Sequence, residues 1–305
     1  MTSPMSSSSP APAPRPDFPL GGTTTIPRLG FGAMQLPVAR NGSHDRDAAL
    51  AVARRAVELG ARHIDTASFY FSGDVRANDL LREALHPYPA GLTIATKIGP
   101  LRNPAGEMYG EATAEQLRPE VERNLRELGV DVLDLVYLRV GRLSAKGGPP
   151  LGDRFAVLAA LRDEGLIRHL GVSNVSAGQL AEARAVAPVA AVQNRFGVLD
   201  QEDAALVDTC AAAGIAYMPF FALGGSHGSL ADDHLRAVAE RHGATAHQVA
   251  IAWGLARSPS IVQIPGTASL AHLEQNMAAS GLVLGPADLE LLGRAGGRRV
   301  SGPAG

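Results

Sequence analysis

The chain has 305 residues, a formal net charge of −2 and one cysteine. The small charge gives no attraction to nucleic acid or to an anionic membrane, and the single cysteine excludes an intramolecular disulfide and a cysteine-rich metal site. Apolar residues make up 46% of the sequence, but they form no uninterrupted run of the roughly 18 residues that a membrane-spanning helix needs.

The first segment, residues 1–17, is rich in Ser, Pro and Ala and lacks the apolar core of a secretion signal. This composition predicts a disordered tail, and we expect a soluble cytoplasmic protein with neither nucleic-acid nor membrane partners. Residues 18–305 are predicted to form a single domain. At its start, the pair Gly21-Gly22 lies between two short β-type stretches and indicates a small β-hairpin.

Strand-like apolar runs alternate with amphipathic helical patterns along the rest of the chain. The predicted strands are residues 29–34, 63–66, 93–98, 133–140, 169–174, 189–194, 215–223 and 261–265. Helical patterns lie between them, for instance over residues 45–59, 113–128 and 200–213, and a glycine follows each of these three. Eight strands with intervening helices predict a parallel (β/α)8 barrel, the TIM-barrel architecture. A doubly wound sheet is disfavoured, because no third glycine completes a G-x-G-x-x-G motif after the first strand.

Lysine is rare in this chain. Of its 28 basic residues only Lys97 and Lys146 are lysines, which leaves 26 arginines (28 − 2). A lysine kept in the apolar run 92–99 suggests a task that a guanidinium cannot perform, because an ammonium is a compact charge whose protonation can be tuned. The alternative, an ordinary salt-bridging lysine, stays open on composition alone. Cys210 lies in an apolar run and is interpreted as a buried structural thiol.

In a parallel barrel the chemistry lies at the C-terminal ends of the strands. There the sequence places mainly polar residues in place of the Val, Ile and Leu that dominate a structural layer. These residues are Asp65, Lys97, Arg139, Ser173, Asn174, Gln193, Asn194, Phe220, Phe221, Gly266 and Thr267, with Tyr70 in the loop after Asp65. Six polar strand ends in series predict an active site. By contrast, His63 and His169 begin their predicted strands and are interpreted as structural histidines with satisfied hydrogen bonds.

Together these segments resemble the aldo-keto reductase family over nearly the whole chain after the tail. The segments that carry the resemblance are LGFGAM (29–34), HIDTA (63–67) with Tyr70, ATK (95–97), GVSN (171–174), VQN (192–194), IPGT (264–267) and HLEQN (272–276). The resemblance implies hydride transfer from NADPH to a small-molecule aldehyde or ketone. Carried over by position, Tyr70 would be the general acid, Lys97 would favour its ionised form, and Asp65 would orient Lys97.

One residue departs from the family pattern. Members usually carry His at the end of the fourth strand, where this chain has Arg139. Arginine cannot act as a neutral imidazole, but it can donate hydrogen bonds to a carbonyl oxygen or hold an anionic substrate group. Three interpretations stay open: an electrostatic replacement in a working enzyme, an anion clamp, and a loss of catalysis.

The context Leu138-Arg139-Val140 is similar to that of a bacterial pyridoxal reductase-like subgroup. This resemblance implies pyridoxal, an aromatic aldehyde with a phenolic oxygen beside the carbonyl, as a substrate. A ketone intermediate of a biosynthetic pathway is a second possibility. The alternative function is a regulatory or sensing module that binds NADPH with little catalysis, and the missing histidine motivates it.

The resemblance also implies a cofactor site. Ser173, Asn174 and Gln193 would hold the nicotinamide amide, and Phe220 would stack on its ring. The other expected cofactor contacts are Gly32, Ala33, Met34, Asp65, Phe221, Leu223, Gly224, Gly266, Thr267, His272, Gln275 and Asn276. Gly266 and His272 replace the usual Lys and Arg beside the adenosine 2′-phosphate. We therefore expect NADPH to be preferred, with NADH possible.

Two stretches border the predicted site. Residues 224–229 are rich in glycine and would lie over the cofactor pyrophosphate, either as a closing loop or as a plain flexible connection. Residues 100–111 are predicted to form a long loop without regular structure that shapes substrate choice.

Overall fold

The computed structural model describes residues 17–39, 44–103, 105–141, 146–224 and 230–295. Residues 1–16 of the predicted tail and residues 225–229 of the glycine-rich stretch lie outside the described residues. The strands of the described part are β1 (Phe18–Leu20), β2 (Thr24–Ile26), β3 (Phe31–Gly32), β4 (His63–Asp65), β5 (Phe71–Ser72), β6 (Val75–Arg76), β7 (Thr93–Ile98), β8 (Pro100–Arg102), β9 (Met108–Glu111), β10 (Leu133–Arg139), β11 (Ile167–Ser173), β12 (Ala191–Gln193) and β13 (Ala216–Tyr217). The α-helices are α1 (Arg46–Glu58), α2 (Ala77–Leu85), α3 (Ala114–Leu128), α4 (Gly152–Asp163), α5 (Ala177–Val186), α6 (Ala204–Ala212), α7 (Asp233–His242), α8 (Ala246–Arg257), α9 (Leu270–Ala278) and α10 (Pro286–Gly293).

Seven parallel strands form one curved sheet in the order β13-β12-β11-β10-β7-β4-β3. Residues 261–265, predicted as the eighth strand, join the two edges of this sheet. On one side Val262 N donates to Tyr217 O at 2.9 Å, and on the other Gln263 N donates to Arg28 O at 2.8 Å. The predicted barrel is confirmed, although its eighth member makes isolated bridges and forms no continuous strand.

Strand bounds agree best in the middle of the sheet and least at its two edges, β13 and β3. β7 has the predicted bounds, and all six of its residues are buried. β13 is much shorter than the predicted 215–223, and Pro219 lies within the missing part; proline has no N–H to continue a ladder. β11 begins two residues earlier than predicted, so His169 is its third residue and the placement at the strand start is wrong.

The predicted hairpin around Gly21-Gly22 is confirmed as the antiparallel pair β1–β2. Its apolar side chains Phe18, Leu20 and Ile26 pack with the apolar layer of residues that point into the barrel. Thr24 of the hairpin contacts His169 near the start of β11. The hairpin therefore covers the N-terminal end of the barrel and leaves the opposite end for ligands.

The helices surround the sheet, and α3 shows how the sequence sets their ends. Thr113 precedes α3, and its N–H donates to the side chain of Gln116 at 2.9 Å, half of a capping box. The helix ends at Gly129, whose φ of 69° is the left-handed conformation that glycine adopts without strain. No helix in the described residues is long and apolar enough to cross a membrane.

Residues 100–111 are not a structureless loop, and that prediction is wrong. They form the antiparallel hairpin β8–β9, in which Pro100 pairs with Glu111 and Leu101 with Gly110. The register shifts between Leu101 and Arg102. This irregularity removes the simple alternation that would have indicated strands in the sequence.

Candidate active site

Asp65 and Lys97 form a buried ion pair at the C-terminal end of the barrel. Lys97 also donates to Thr66 O at 2.8 Å, and the second carboxylate oxygen of Asp65 accepts a hydrogen bond from Gln193 Nε2 at 2.8 Å. Breaking a buried pair leaves a charge without water or partner. These extra hydrogen bonds fix the direction in which both side chains point.

Tyr70 lies directly against this pair. Lys97 Nζ is 4.7 Å from the centroid of the Tyr70 ring, so the ammonium faces the ring. The main chain of Tyr70 is held at both ends, because its N–H donates to Ala67 O at 3.1 Å and its carbonyl accepts from Ala77 N at 2.9 Å. The sequence prediction that Asp65, Lys97 and Tyr70 lie together is consistent with this arrangement.

Arg139, the last residue of β10, is buried beside them. Its Nη1 donates to Ser173 Oγ at 3.1 Å, and its Cζ lies 4.8 Å from the centroid of the Phe220 ring. Its Nη2 is buried and has no hydrogen-bond partner in the described part of the chain. Burial lowers the pKa of the Arg139 guanidinium, while Tyr70 and Asp65 oppose this effect. An arginine nevertheless stays protonated near pH 7.

The buried end of the site carries an excess of positive charge. Lys97 and Arg139 are cations, and Asp65 is the only carboxylate among the described residues that forms an ion pair with either. His63 adds no charge near pH 7, because burial lowers its pKa to about 4. One positive charge is therefore left without a counter-ion in a region of low dielectric constant, where it stabilises negative charge strongly.

A cleft of about 970 Å³ opens above these residues. Its floor and walls include Tyr70, Arg139 and Gln193, and the β8–β9 hairpin forms one side. Aromatic and apolar side chains make up most of the rest. They are Met34, Val38, Phe69, Phe71, Met108, Tyr109, Phe220 and Phe221. Clefts of this size and lining bind small organic ligands in many proteins.

A second cleft of about 280 Å³ adjoins the first and shares Met34, Tyr70, Phe220 and Phe221 with it. Most of the predicted cofactor residues line this smaller cleft. They are Gly32, Met34, Asp65, Phe220, Phe221, Leu223, Gly266, Thr267, His272, Gln275 and Asn276. The structure thus brings the strand-end residues and the C-terminal segment together around one continuous groove.

Four predicted cofactor residues line neither of the two clefts in the described part of the chain: Ala33, Ser173, Asn174 and Gly224. Ala33 and Ser173 are fully buried behind the cleft walls. Asn174 has a φ of 63° and donates to Val140 O at 2.9 Å. Their contacts with a cofactor stay predictions.

Two of the predicted cofactor residues, Gly32 and Gly266, lie where main-chain segments approach each other closely. A side chain at Gly266 would place its Cβ 2.6 Å from Gly32 O, and one at Gly32 would lie 2.7 Å from Ile264 O. Such distances are too short for real contacts. The main chains around Gly32 and Gly266 therefore leave no room for a side chain at either residue in this arrangement.

Three of the structural predictions concern single residues outside the clefts. Neither ring nitrogen of His63 has a hydrogen-bond partner within the described residues, so its interpretation as a satisfied histidine is wrong. His169 does approach the Thr24 hydroxyl at 3.1 Å. Cys210 is buried as predicted, and burial raises the pKa of its thiol to about 12, which keeps it unreactive near pH 7.

Sequence reasoning missed His247 and Thr245, which line the smaller cleft from the start of α8. It also missed Arg154, which lines the larger cleft and pairs with Glu111 at 2.5 Å. None of these residues stands at a strand end. The one available signal was the capping box that starts with Thr245, which marks a helix N-terminus but not a ligand.

A model of the aldo/keto reductase family matches residues 28–295 of this chain. Pyridoxine 4-dehydrogenase of Escherichia coli (strain K12) is 46% identical over 268 residues, which cover 86% of this chain and 92% of that protein. An uncharacterised oxidoreductase of Schizosaccharomyces pombe is 38% identical over 269 residues, which cover 86% of this chain and 84% of that protein.

Solved structures share the same architecture. A thermostable aldo-keto reductase in complex with the inhibitor epalrestat superposes with a TM-score of 0.76 at 26% identity, over 91% of this chain and 98% of that one. An aldo-keto reductase from Klebsiella pneumoniae in complex with NADPH gives a TM-score of 0.76 at 24% identity, over 92% of this chain and 94% of that one. Both likenesses support the barrel.

Proposed function

We propose that this chain, which belongs to the aldo/keto reductase family, reduces an aromatic aldehyde or ketone with NADPH. In this proposal Tyr70 supplies the proton. Membership in the family makes the chain an NAD(P)H-dependent oxidoreductase of carbonyl groups. The observation that carries the finer proposal is the uncompensated positive charge of Lys97 and Arg139 beside Tyr70. Carbonyl reduction develops negative charge on oxygen, and donors preorganised around it lower the barrier.

The residues of the groove fit a nicotinamide dinucleotide. Gln193 Oε1 is buried without a partner among the described residues, and it lines the larger cleft, where it can accept a hydrogen bond from an amide such as that of nicotinamide. Phe220 and Phe221 border both clefts and offer apolar surface for a flat ring. Bound NADPH would supply the hydride. His272 and His247 line the smaller cleft and would favour a phosphate when protonated.

Each residue of the buried end then has a defined task. The O–H bond of Tyr70 breaks as its proton moves to the substrate oxygen, and the phenolate left behind is stabilised by Lys97. Asp65 holds Lys97 in place. Arg139 Nη2, the unpartnered donor, is available to the same substrate oxygen, which supports its interpretation as an electrostatic replacement for histidine.

We propose pyridoxal or a similar aromatic aldehyde as the substrate. The relative at 46% identity is named for the oxidation of pyridoxine, and the reverse of such a reaction is the reduction of pyridoxal. The aromatic lining of the larger cleft suits a flat ring, and the phenolic oxygen of pyridoxal suits the cation Arg139. A ketone of a biosynthetic pathway is the second candidate. A cytoplasmic site of action stays a prediction from the sequence.

The test is the loss of NADPH absorbance when pyridoxal, neutral benzaldehydes and ketones are added to the protein. Tyr70→Phe should lower kcat by roughly 10²- to 10⁴-fold and leave the Kd for NADPH, measured by fluorescence, unchanged. Tyr88→Phe is the matched control, because the Tyr88 hydroxyl bonds to Leu128 O at 2.8 Å on α3. Full activity of Tyr70→Phe would remove Tyr70 from the acid role. An absence of NADPH oxidation with every carbonyl would favour a sensing module.

A further inference from the structure

Arg102, the last residue of β8, reaches from the β8–β9 hairpin to the segment that carries Tyr70. Its Nη1 donates to Phe69 O at 2.5 Å and lies 3.5 Å from Phe71 O. Its Nε donates to Gly106 O at 2.7 Å within its own hairpin. One guanidinium therefore binds the main chain on both sides of Tyr70 and the hairpin at the same time.

The contact is built from packing as well as hydrogen bonds. Arg102 Cζ lies 4.7 Å from the centroid of the Phe71 ring, which adds a cation–π interaction. The Phe69 ring meets the Tyr70 ring edge to face at a centroid distance of 5.3 Å. Burial lowers the pKa of the Arg102 guanidinium. Its hydrogen bonds therefore form in a region partly shielded from water, where they are stronger.

Arg102 adds to the main-chain contacts that hold the segment of Tyr70. Residues 66–70 belong to no strand or helix, and two main-chain hydrogen bonds hold Tyr70 itself. A planar guanidinium with several donors in a fixed fork can bind two neighbouring carbonyls in one geometry, whereas a lysine cannot. The hydrogen-bond partners of Arg102 in the described part of the chain are all carbonyl oxygens, so its role there is to orient the main chain.

We propose that Arg102 is a positioning residue for Tyr70 and that it couples the β8–β9 hairpin to proton transfer. The proposal rests on the proposed function, since it assigns Tyr70 the acid role. Tyr109 and Met108 of the same hairpin line the larger cleft. A substrate that contacts Met108 or Tyr109 can therefore change the position of Tyr70 through the guanidinium of Arg102.

The test is Arg102→Met, which keeps a long apolar side chain on Phe71 but removes the donors. With a neutral aldehyde, kcat should fall roughly 10- to 100-fold, the size expected when a catalytic group is misplaced by about 1 Å. The solvent deuterium isotope effect on kcat should rise, because proton transfer becomes slower than the other steps. The Kd for NADPH should be unchanged.

Arg76→Met is the matched control. Arg76 also lies over the Phe71 ring, at 5.0 Å, but its guanidinium pairs with Glu127 at 3.7 Å. This variant removes an equal charge from the same ring without touching the carbonyls beside Tyr70. Its kcat and isotope effect should match those of the unaltered protein, and a loss equal to that of Arg102→Met would overturn the proposal.

Two further variants, Arg102→Lys and Arg102→Ala, test the same role independently of Arg102→Met. If Arg102→Met does not fold, Arg102→Lys keeps the charge and length, and the same loss of kcat is expected because an ammonium lacks the fork. Added guanidinium ion at a non-denaturing concentration should restore part of the activity of Arg102→Ala, with sodium chloride as control; no restoration would count against the role.

The alternative is that Arg102 binds an anionic group of the substrate. In that case Arg102→Met would raise KM for 4-carboxybenzaldehyde and leave both constants for its methyl ester unchanged, a result that overturns the positioning role. Failure of the proposed function gives a different result, since the unaltered protein would then oxidise NADPH with neither aldehyde.

Discussion

The two lysines of the chain form ion pairs of similar design in different surroundings. Lys97 and Asp65 are 1% and 4% exposed, whereas Lys146 is 42% exposed and its partner Asp203 is 4% exposed. Each aspartate also accepts a hydrogen bond from an amide at the end of β12: Asp65 from Gln193 at 2.8 Å, and Asp203 from Asn194 at 2.7 Å.

What differs is what each ammonium faces. Lys97 faces the ring of Tyr70 at the base of a large cleft. Lys146 lies in the connection between β10 and α4 and pairs with Asp203 just before α6. The next residue, Gly147, donates its N–H to Asn174 O at 2.8 Å. Rarity marks both lysines equally. Only the environment separates a candidate catalytic lysine from a structural one.

Neutral substitution of each lysine in turn should show the largest difference between the two ion pairs. Lys97→Met leaves Asp65 buried without its cation and should lower the free energy of unfolding by about 3–5 kcal/mol and abolish turnover. Lys146→Met should cost about 1 kcal/mol, because water reaches this site and Asp203 keeps hydrogen bonds from Asn194 and Tyr217. Urea denaturation measures both losses, and equal losses would show that the pairs are equivalent.

Arginine at the same positions should sharpen the contrast. Lys146→Arg should leave kcat unchanged, because a half-exposed guanidinium can still pair with Asp203. Lys97→Arg should lower kcat by roughly 10²-fold, because the larger, planar cation cannot occupy the enclosed space between Asp65, Thr66 and the Tyr70 ring. Steady-state kinetics with NADPH and a neutral aldehyde make the comparison. Two fully active variants would mean that the scarcity of lysine has no functional cause.

His63 should make the stability of the Lys97 region depend on pH. Burial lowers the pKa of His63 from 6.5 to about 4, so the unfolded chain takes up a proton before the folded one does. The contribution of His63 to the free energy of unfolding is therefore fully present above pH 6.5. It is lost as the pH falls from 6.5 towards 4, by about 3 kcal/mol in total. His63→Met should show a shallower decline in urea midpoints over this range. An identical slope in both proteins would contradict the assignment.

The smallest expected effect is a change in the pKa of His63 when the charge of Lys97 is removed. Lys97 lowers the pKa of His63 and Asp65 raises it, so removing the ammonium in Lys97→Met should raise that pKa. Lys146→Met should leave it unchanged. Titration of the imidazole signals by NMR measures the shift. A rise in both variants would point to general loosening of the fold.

The sequence predicted the barrel well because its central strands are buried on both faces. All six residues of β7 are buried, and Gly99 follows the strand directly. A short run of this kind between helical patterns is typical of a central strand in a parallel sheet. The run 215–223 is more apolar than β7 but contains Pro219, and its pairing stops early, at Tyr217. Apolarity predicts burial, whereas pairing also requires a free N–H at each step.

The sequence indicated the residues at the strand ends. It missed the contacts that form when the β8–β9 hairpin folds back over the cleft. In parallel strands, Asp65 and Lys97 reach the same end of the sheet, so their proximity follows from position alone. The contact of Arg102 with Phe69 depends on how the β8–β9 hairpin bends across the cleft, and a shifted register hid that hairpin. Local pattern carries no information about such a contact.

Gln193 and Asn194 are adjacent in sequence, yet one faces into the barrel and the other faces out of it. If the deletion of one residue from the connection before β12 shifted the strand by one position, Asn194 would take the place of Gln193 beside Asp65, and Arg195 would take the place of Asn194 beside Asp203. The shorter asparagine would then fall one methylene short of Asp65, and both buried carboxylates would be poorly matched. The length of the connection between α5 and β12 is therefore part of the specification of the site, although no residue in that connection touches it.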